Sequence, residues 1–234
     1  MLSTLAQLVD TVHFCYSVIM TGSPSPAQAR EPQRRRPRGA VRDGLVAAGL
    51  GLARAGGPDA VVLREATRMV GVVPNAAYRH FADRDELLAA VCAAALRELA
   101  SRMAAGVARV RGKRGDPAAA RRRLHAICTA YLEFSRQEPG LFATAFALPQ
   151  QHAYQAPDGG DELSPLGHLR AVLDELAEAG VLQRRRRDGI EYPIWSAVHG
   201  LAVLTGQGPL RGVPAAARRR LDELTRTFID GSLE

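Results

Sequence analysis

Residues 57–81, GPDAVVLREATRMVGVVPNAAYRHF, decide the fold of this chain. Within them Leu63, Ala66 and Val70 lie at positions i, i+3 and i+7, a spacing that predicts a short helix with one apolar face. Gly71 follows directly, and glycine is the residue favoured where a helix ends at a turn with positive φ. The first half of the stretch therefore predicts a helix that ends at a tight turn.

A second short helix is predicted directly after this turn. Pro74 suits its first position, because the N–H group that proline lacks would have no partner there. Ala77 and Phe81 lie four residues apart and can face a core. The residues left to point outward are Asn75, Tyr78, Arg79 and His80. Two short helices joined by a tight turn, the second with polar and basic side chains, indicate a helix-turn-helix that enters the major groove of DNA.

The composition favours a helical protein with a polyanionic partner. The chain has 234 residues, of which 47% are hydrophobic and 24% charged, enough to bury a substantial core. Aromatic residues make up only 5%, alanine and arginine dominate, and no segment alternates β-branched residues as a strand would. The formal net charge of +7 fits binding to nucleic acid but specifies no fold.

The first 39 residues are expected to be an extension outside the fold. Residues 1–20 are apolar, but they lack a basic start and contain Asp10, so they suit neither a signal peptide nor a membrane span. Met20 offers a second possible start of translation. Residues 21–39 are rich in Pro, Ser and Arg and are expected to be disordered in isolation. These features predict a cytoplasmic protein with no membrane partner.

The rest of the chain predicts an all-α protein. A first helix is expected from Ala40 to Ala55, and Asp83 with Glu86 has the spacing of a capping box for a long helix that runs to about Arg111. Later helices are predicted at about 117–138, 141–148, 165–179, 188–206 and 214–231, with a loop at 149–164. We expect a three-helix helix-turn-helix domain at 40–86 and a helical-bundle domain at 87–234.

Two motifs resemble the tetracycline-repressor-type (TetR) family of bacterial transcription regulators. The first is LREATRMVGVVPNAAYRHF followed by Asp83–Leu88, which is similar to the family's Y-x-H-F motif with its following basic residue and E-x-L-L. The second is Trp195–Leu201, which resembles the W-x-x-x-H-G signature of the WHG type of C-terminal domain. Tyr131-x-x-Phe134 with Glu138–Phe142 resembles a further landmark of that domain. The two matches lie in the family's order along the chain.

The resemblance implies a dimeric repressor that leaves a palindromic operator when a small effector, here predicted to be hydrophobic, binds. No cofactor is implied, and we expect the last two helices to form the homodimer. Carried over from the family, the DNA-binding residues include Arg64 on the second helix and the base-reading Asn75, Ala76 and Arg79. The phosphate-binding residues implied by the resemblance are Tyr78, His80 and Arg84.

Four residues depart from the family's usual pattern. Val62 and Val73 stand where Ser or Thr usually begins the second and third helices. Loss of such a capping hydroxyl typically costs about 1 kcal/mol and can remove a phosphate contact. Thr67 and Val70 replace small alanines. We therefore expect an unusual DNA affinity or sequence preference and an unchanged fold.

Some of these residues have a second interpretation. Asn75 can pair with adenine through two hydrogen bonds, or it can contact only backbone and water at a helix start. The run Arg34–Arg38, with Arg38 the candidate contact, can be an arm that binds DNA or a solvated tail. Trp195 and His199 lie four apart on one helix face, where packing in the core or the dimer interface competes with ligand binding.

Aromatic residues of the C-terminal half are candidates for the wall of an effector pocket. Aromatic walls with few polar groups are typical of pockets for small hydrophobic ligands. The candidates are His125, Tyr131, Phe134, Phe142 and Phe146, together with Trp195 and His199. Any one of them alone also fits an ordinary core position.

The sequence argues against an enzyme or a metal protein. Cys15, Cys92 and Cys128 form no C-x-x-C pair, and the six histidines include no H-E-x-x-H motif. His125 and Cys128 lie at i and i+3, but no further ligand or base has a suitable spacing, so packing is the better account. The alternative to an operator-binding regulator is a dimeric binding module whose helix-turn-helix no longer reads DNA.

Overall fold

The computed structural model describes residues 39–148 and 164–234, which belong to one compact unit. This part of the chain contains nine α-helices and no strand, so the all-α prediction is confirmed. The helices are α1 (Ala40–Gly56), α2 (Leu63–Val70), α3 (Pro74–Tyr78), α4 (Arg84–Ala108), α5 (Pro117–Gln137), α6 (Pro139–Ala145), α7 (Pro165–Glu178), α8 (Glu191–Gly206) and α9 (Ala215–Ser232). The predicted N-terminal extension, with Arg38, and nearly all of the loop at 149–164 lie outside the described residues.

The first three helices pack around a small core with the start of α4. Leu45 of α1, Ala66 of α2 and Ala77 of α3 are fully buried, as are Phe81 and Leu87. The predicted inward positions therefore face this core. Because each helix is too short to be stable alone, burial of these side chains holds the arrangement together.

The turn between α2 and α3 has the predicted glycine geometry. Gly71 has φ 70°, in the left-handed region. Its N–H donates to the carbonyl of Arg68 at 3.2 Å, while the N–H of Val72 donates to that of Thr67 at 3.3 Å. This pair of bonds is the Schellman arrangement, which satisfies the last carbonyls of a helix. Pro74 then occupies the first turn of α3, as predicted.

The long helix α4 begins at the predicted capping box. The backbone N–H of Glu86 donates to Oδ1 of Asp83 at 2.8 Å. The Glu86 carboxylate in turn accepts from the backbone N–H of Ala82 at 2.6 Å, one residue earlier than the usual partner. The helix has 25 residues and spans about 36 Å, at 1.5 Å per residue. It ends at Ala108, three residues before the predicted Arg111, and connects the helix-turn-helix to the far end of the protein.

The remaining helices form a bundle around α5. This helix packs against α4 on one side and against α7 and α8 on the others. Its inward side chains include the buried Leu124, Ile127 and Leu132. Helix α9 packs against α8, and its only buried side chain is Ile229. The outer position of α9 leaves most of its length exposed.

Two helix starts differ from the sequence prediction. Helix α6 begins at Pro139 rather than Leu141, because Pro139 can occupy the first turn while Phe142 N–H bonds to the carbonyl of Glu138 at 2.8 Å. Helix α8 begins at Glu191 rather than Asp188. The carboxylate of Glu191 is buried between two guanidinium groups, those of Arg170 and Arg187, each at 3.0 Å.

Helices α6 and α1 approach each other very closely. A Cβ added at Gly140 of α6 would lie 2.2 Å from the carbonyl oxygen of Ala53 in α1. Around this contact Arg54 pairs with Glu98 at 2.7 Å and with Glu138 at 3.3 Å. The helix-turn-helix is thus joined to the bundle by α4 and by this contact. None of the described helices is both long enough and apolar enough to cross a membrane.

Candidate DNA-binding surface and ligand cleft

One face of the third helix, α3, is polar and accessible to solvent, and the opposite face is buried in the core. Asn75, Tyr78 and Arg79 are exposed, while Ala76 and His80 are half-buried. The Tyr78 side chain is 59% exposed although it is aromatic. Ala77 and Phe81 anchor the opposite face in the core. A short helix fixed by its inner face and exposed along its outer face can enter a groove of DNA without rearrangement.

Two further candidate DNA residues, Arg64 and Arg84, lie on the helices that precede and follow α3. Arg64 is exposed near the start of α2. Exposed basic side chains at this position can reach phosphates and fix the orientation of α3, but they carry no sequence information. Arg38 lies outside the described residues, so its contact stays a prediction.

The two valines leave both short helices without a side-chain cap. Val62 and Val73 precede α2 and α3 in extended conformations, and neither makes a capping hydrogen bond. Val73 is 68% exposed, so an apolar side chain stands where the family offers a hydroxyl. The other two departures are accommodated. The Thr67 hydroxyl donates to the Leu63 carbonyl at 2.6 Å, and Val70 packs against the surface at Gly44.

Arg84 has intramolecular partners that the resemblance did not suggest. Its Nε donates to the carbonyl of Val61 at 3.0 Å and its Nη2 to that of Pro58 at 2.8 Å. The guanidinium therefore holds the short 3-10 turn Pro58–Ala60, which leads into α2. Arg84 therefore stabilises the start of the helix-turn-helix, and its phosphate contact stays a prediction.

Five of the seven pocket candidates form one aromatic cluster. They are Tyr131 of α5, Phe142 and Phe146 at α6, and Trp195 and His199 of α8. Phe142 and Phe146 have ring centroids 5.1 Å apart, and Phe146 lies 4.7 Å from the His199 ring. The i, i+4 spacing of Trp195 and His199 places both rings toward the same neighbours, as the sequence predicted.

A hydrogen-bonded chain fixes the polar groups of this cluster. Trp195 Nε1 donates to the Tyr131 hydroxyl at 3.2 Å, and that hydroxyl lies 2.8 Å from Nδ1 of His199. Indole can only donate, so the tyrosine hydroxyl accepts from Trp195. Burial raises the pKa of Tyr131 well above its usual value, so the hydroxyl stays protonated. The same hydroxyl shares a hydrogen bond with Nδ1 of His199, whose direction depends on the imidazole tautomer, and this chain orients the His199 ring.

A cleft of about 510 Å³ opens between the cluster and the helix-turn-helix. Such a volume lies within the range of sites for small molecules. Phe142, Phe146 and His199 contribute one wall, and Pro58, Asp59 and Arg84 contribute the facing rim. The remaining lining residues are Leu88, Ala143, Ala147, Val203 and Gln207. Seven of the eleven lining residues are apolar, but the exposed surface of the cleft is about half polar.

Four of the seven pocket candidates do not line this cleft. Tyr131 and Trp195 belong to the aromatic cluster but not to the cleft wall, while His125 and Phe134 lie outside both. His125 instead contacts α9, where its Nε2 lies 2.8 Å and 3.0 Å from the two carboxylate oxygens of Asp230. Phe134 is fully buried, with the Arg102 guanidinium stacked 5.1 Å from its ring centroid. Both were chosen by residue type, and their positions on α5 point them to other neighbours. Pro58 and Gln207 were missed, since only the tertiary fold brings them to the cleft.

The thiols have the properties of core residues. Cys92 and Cys128 are buried and free, and Cys92 Sγ donates to the Thr144 carbonyl at 2.9 Å. Burial raises the pKa of Cys92 to about 11 and that of Cys128 to about 12. Within the described ranges, no three His, Cys, Asp or Glu side chains are grouped so that they could hold a metal ion. Cys15 lies outside those ranges.

Comparison with known proteins gives a family match for the C-terminal part of the chain and a similar fold for most of the chain. Residues 124–228 match the family of domains described as tetracyclin repressor-like, C-terminal domain, a range that includes the Tyr131 and Trp195 landmarks. A protein of unknown function from Rhodococcus sp. RHA1 has a similar structure, with a TM-score of 0.61, 24% identity and coverage of 86% of this chain and 97% of its own. A protein from Shewanella sp. PV-4, assigned to the tetR family of transcription regulators, has a TM-score of 0.55 at 14% identity, with coverage of 82% and 97%. No curated protein matches the chain significantly.

Proposed function

We propose that the chain is a transcription regulator of the TetR family, a cytoplasmic repressor that binds a palindromic operator and releases it when an effector binds. In this proposal residues 40–86 bind DNA, and residues 87–234 bind the effector and form a homodimer. Members of this family are transcription regulators rather than enzymes, and no catalytic step is part of the proposal.

The observation that carries the DNA-binding proposal is the exposed face of α3. Asn75, Ala76 and Arg79 are assigned to base edges, and Tyr78 and His80 to phosphates. Arg79 is exposed and has no side-chain partner among the described residues, so its guanidinium can donate two hydrogen bonds to guanine. Two copies of α3 in a dimer would enter successive major grooves about 34–36 Å apart, which requires a nearly palindromic site.

A mobility-shift experiment tests this role. Binding sites are selected with the full chain from random duplex DNA, and the DNA upstream of the gene is tested alongside. Arg79→Ala should weaken binding to the selected site by roughly 5-fold to 150-fold, the range for loss of a bidentate base contact. Arg185→Ala is the matched control, because Arg185 is an exposed arginine far from α3 in the 3-10 turn Arg184–Arg186.

The same experiment separates the proposal from its alternative. The uncapped starts at Val62 and Val73 favour a second candidate, a dimeric binding module that no longer reads an operator. Enrichment of one sequence, with binding that weakens as salt rises, supports the repressor. If random competitor DNA removes the protein as well as the selected site does, the operator-binding proposal is wrong and the second candidate is favoured.

The dimer proposal is supported by an apolar stripe along α9. Leu224 and Phe228 are 48% and 64% exposed, unusual values for large apolar side chains. The stripe continues at alternating spacings of three and four through Ala217, Leu221 and Gly231. This is the spacing by which helices pack along a shared seam. Val203 and Leu204 of the neighbouring α8 are also exposed.

A charge placed in this stripe should separate the two chains. We expect Phe228→Glu to shift the protein from dimer to monomer in analytical ultracentrifugation at micromolar concentration. Thr227→Glu adds the same charge to the adjacent exposed position outside the stripe and should leave the dimer intact. A wild-type protein that sediments as a monomer would contradict the dimer proposal.

The effector proposal rests on the cleft between the aromatic cluster and the helix-turn-helix. A ligand there would contact both, so it can favour one arrangement of the DNA-binding part over another. Such a ligand shifts the population only if it binds the two arrangements with different affinity. An operator complex that persists with every ligand that occupies the cleft would contradict this part of the proposal.

A further inference from the structure

We propose that the effector is an amphiphilic anion, with an aromatic or aliphatic body and a carboxylate or similar acidic group held by Arg84. The inference rests on the proposed function, because it assumes that the cleft is the effector site. It goes further by naming the chemical class of the ligand and the residue through which it reaches the helix-turn-helix.

The guanidinium of Arg84 has donors left for a ligand at the rim of the cleft. Its Nε and Nη2 bond to the carbonyls of Val61 and Pro58. Nη1 has no hydrogen-bond acceptor among the described residues, and its nearest acidic oxygen, on Asp85, is 3.6 Å away. Arginine stays charged at all physiological pH values, and its fixed donor geometry suits a carboxylate. The Arg84 side chain is 40% exposed, so an incoming anion can reach it.

The acidic residues near Arg84 do not cancel its charge for a ligand. Asp59 lies 3.9 Å from Nη2, beyond hydrogen-bond distance, and its side chain is fully exposed. The Asp85 side chain is also largely exposed, and water screens charges in such positions strongly. Arg84 is the only Arg or Lys, and Asp59 the only Asp or Glu, among the residues that line this cleft.

The rest of the lining suits the apolar body of the ligand. The aromatic Phe142 and Phe146 and the aliphatic Leu88 and Val203 line the cleft, and Val203 is 40% exposed. Burial of such surface supplies most of the binding free energy for a small ligand, while a charged group at one end fixes its orientation. A body against the rings and an acidic group at Arg84 would span the cleft from the bundle to the turn Pro58–Ala60.

This placement also gives the ligand a route to the DNA-binding part. The same guanidinium that would hold the anion already holds the carbonyls that precede α2. A ligand that binds Nη1 changes the position of Arg84. It therefore also changes the hydrogen bonds by which Arg84 holds this turn. Coupling requires only that the two positions of the turn differ in ligand affinity.

A matched pair of fluorescent probes tests the charge requirement. 1-Anilinonaphthalene-8-sulfonate carries an aromatic body with an anionic group, and N-phenyl-1-naphthylamine has the same body without the charge. We expect the anion to bind the full chain at one site per chain. Arg84→Gln should weaken that binding about tenfold and leave the neutral probe within about twofold, because a charge-assisted hydrogen bond is lost. Arg84→Lys should restore most of the affinity for the anion.

Control variants and measurements distinguish a loss of probe binding from unfolding and from a loss of DNA binding. Arg185→Gln removes a distant exposed arginine and should change neither probe, and far-UV circular dichroism verifies that each variant is folded. Displacement of the anionic probe by 4-phenylbutyrate, but not by 4-phenylbutanol, would support the inference. Equal binding of the anionic probe to wild type and folded Arg84→Gln would overturn it, whatever the operator experiment gives. Failure to bind an operator would refute the proposed function without changing the probe result.

Discussion

The contact between α6 and α1 leads to the sharpest stability prediction for this protein. Gly140 has an ordinary helical conformation, so alanine is allowed there by the backbone. However, the added Cβ would lie 2.2 Å from the carbonyl oxygen of Ala53 and 2.9 Å from that of Arg54. Both neighbours are backbone atoms of a helix, which cannot move aside as a flexible side chain can. We therefore expect Gly140→Ala to force α6 away from α1.

The size of the effect follows from this geometry. The two helices must separate by about 1 Å, since carbon and oxygen atoms that are not bonded rarely approach within 3 Å. Overpacking of this kind typically costs about 1–3 kcal/mol. The helix preference of alanine offsets less than about 1 kcal/mol of that cost. The exposed ion pairs around Arg54 contribute little, as each is worth about 0–1 kcal/mol.

Urea unfolding followed by far-UV circular dichroism measures this loss. We expect Gly140→Ala to lower the free energy of unfolding by about 1–3 kcal/mol, which corresponds to a fall in Tm of roughly 2–12 °C for a protein of this size. Gly206→Ala is the matched control, because a Cβ there meets no atom within 4 Å. If both variants unfold at the same urea concentration as the wild type, the close packing of α6 on α1 does not exclude a larger side chain at position 140.

Three further measurements examine individual local features. Asp83→Ala should lower the free energy of unfolding by about 1 kcal/mol in the same urea experiment, because the cap on Glu86 N–H is lost; no change would mean that the cap contributes nothing. Val73→Thr should raise it by about 0.5–1 kcal/mol relative to Val73→Ala, since a hydroxyl at this extended position can cap α3, and equal stability of the two variants would refute this. In a Cys15→Ser variant at pH 8, iodoacetamide should label Cys92 and Cys128 only slowly until urea is added. With a pKa of about 11, only about one Cys92 thiol in a thousand is ionised at that pH, and the sites are buried. Rapid labelling of the folded protein would contradict the buried assignment.

Local sequence signals were sufficient to predict the helices and several of their ends. The glycine at position 71, the proline at 74 and the capping pair at Asp83 and Glu86 each act within a few residues, so their effects can be read without knowing the fold. The starts of α6 and α8 were predicted at the wrong residues. Helix α8 starts only after Gly189, whose φ of 77° lies in the left-handed region and cannot continue a helix. The burial of Glu191 between Arg170 and Arg187, in contrast, depends on how α7 and α8 meet.

For the candidate sites too, the sequence predicted some features correctly and could not decide others. Asn75, Tyr78 and Arg79 were predicted correctly as exposed because helical periodicity fixes which side chains face a core, whereas His80 is half-buried. Residue type also identified the aromatic cluster, but it could not exclude His125 and Phe134, whose neighbours lie on other helices.

By itself, the sequence determined that this chain is an all-α protein with a helix-turn-helix, because those signals are local and repeat at helical spacing. Only the tertiary structure decided that Arg84 holds the turn at Pro58 and lines a cleft shared with Phe142 and His199. These residues lie far apart in the chain, and no local pattern encodes their meeting. Their proximity results from the packing of α6 and α8 against the helix-turn-helix, which depends on all the helices at once.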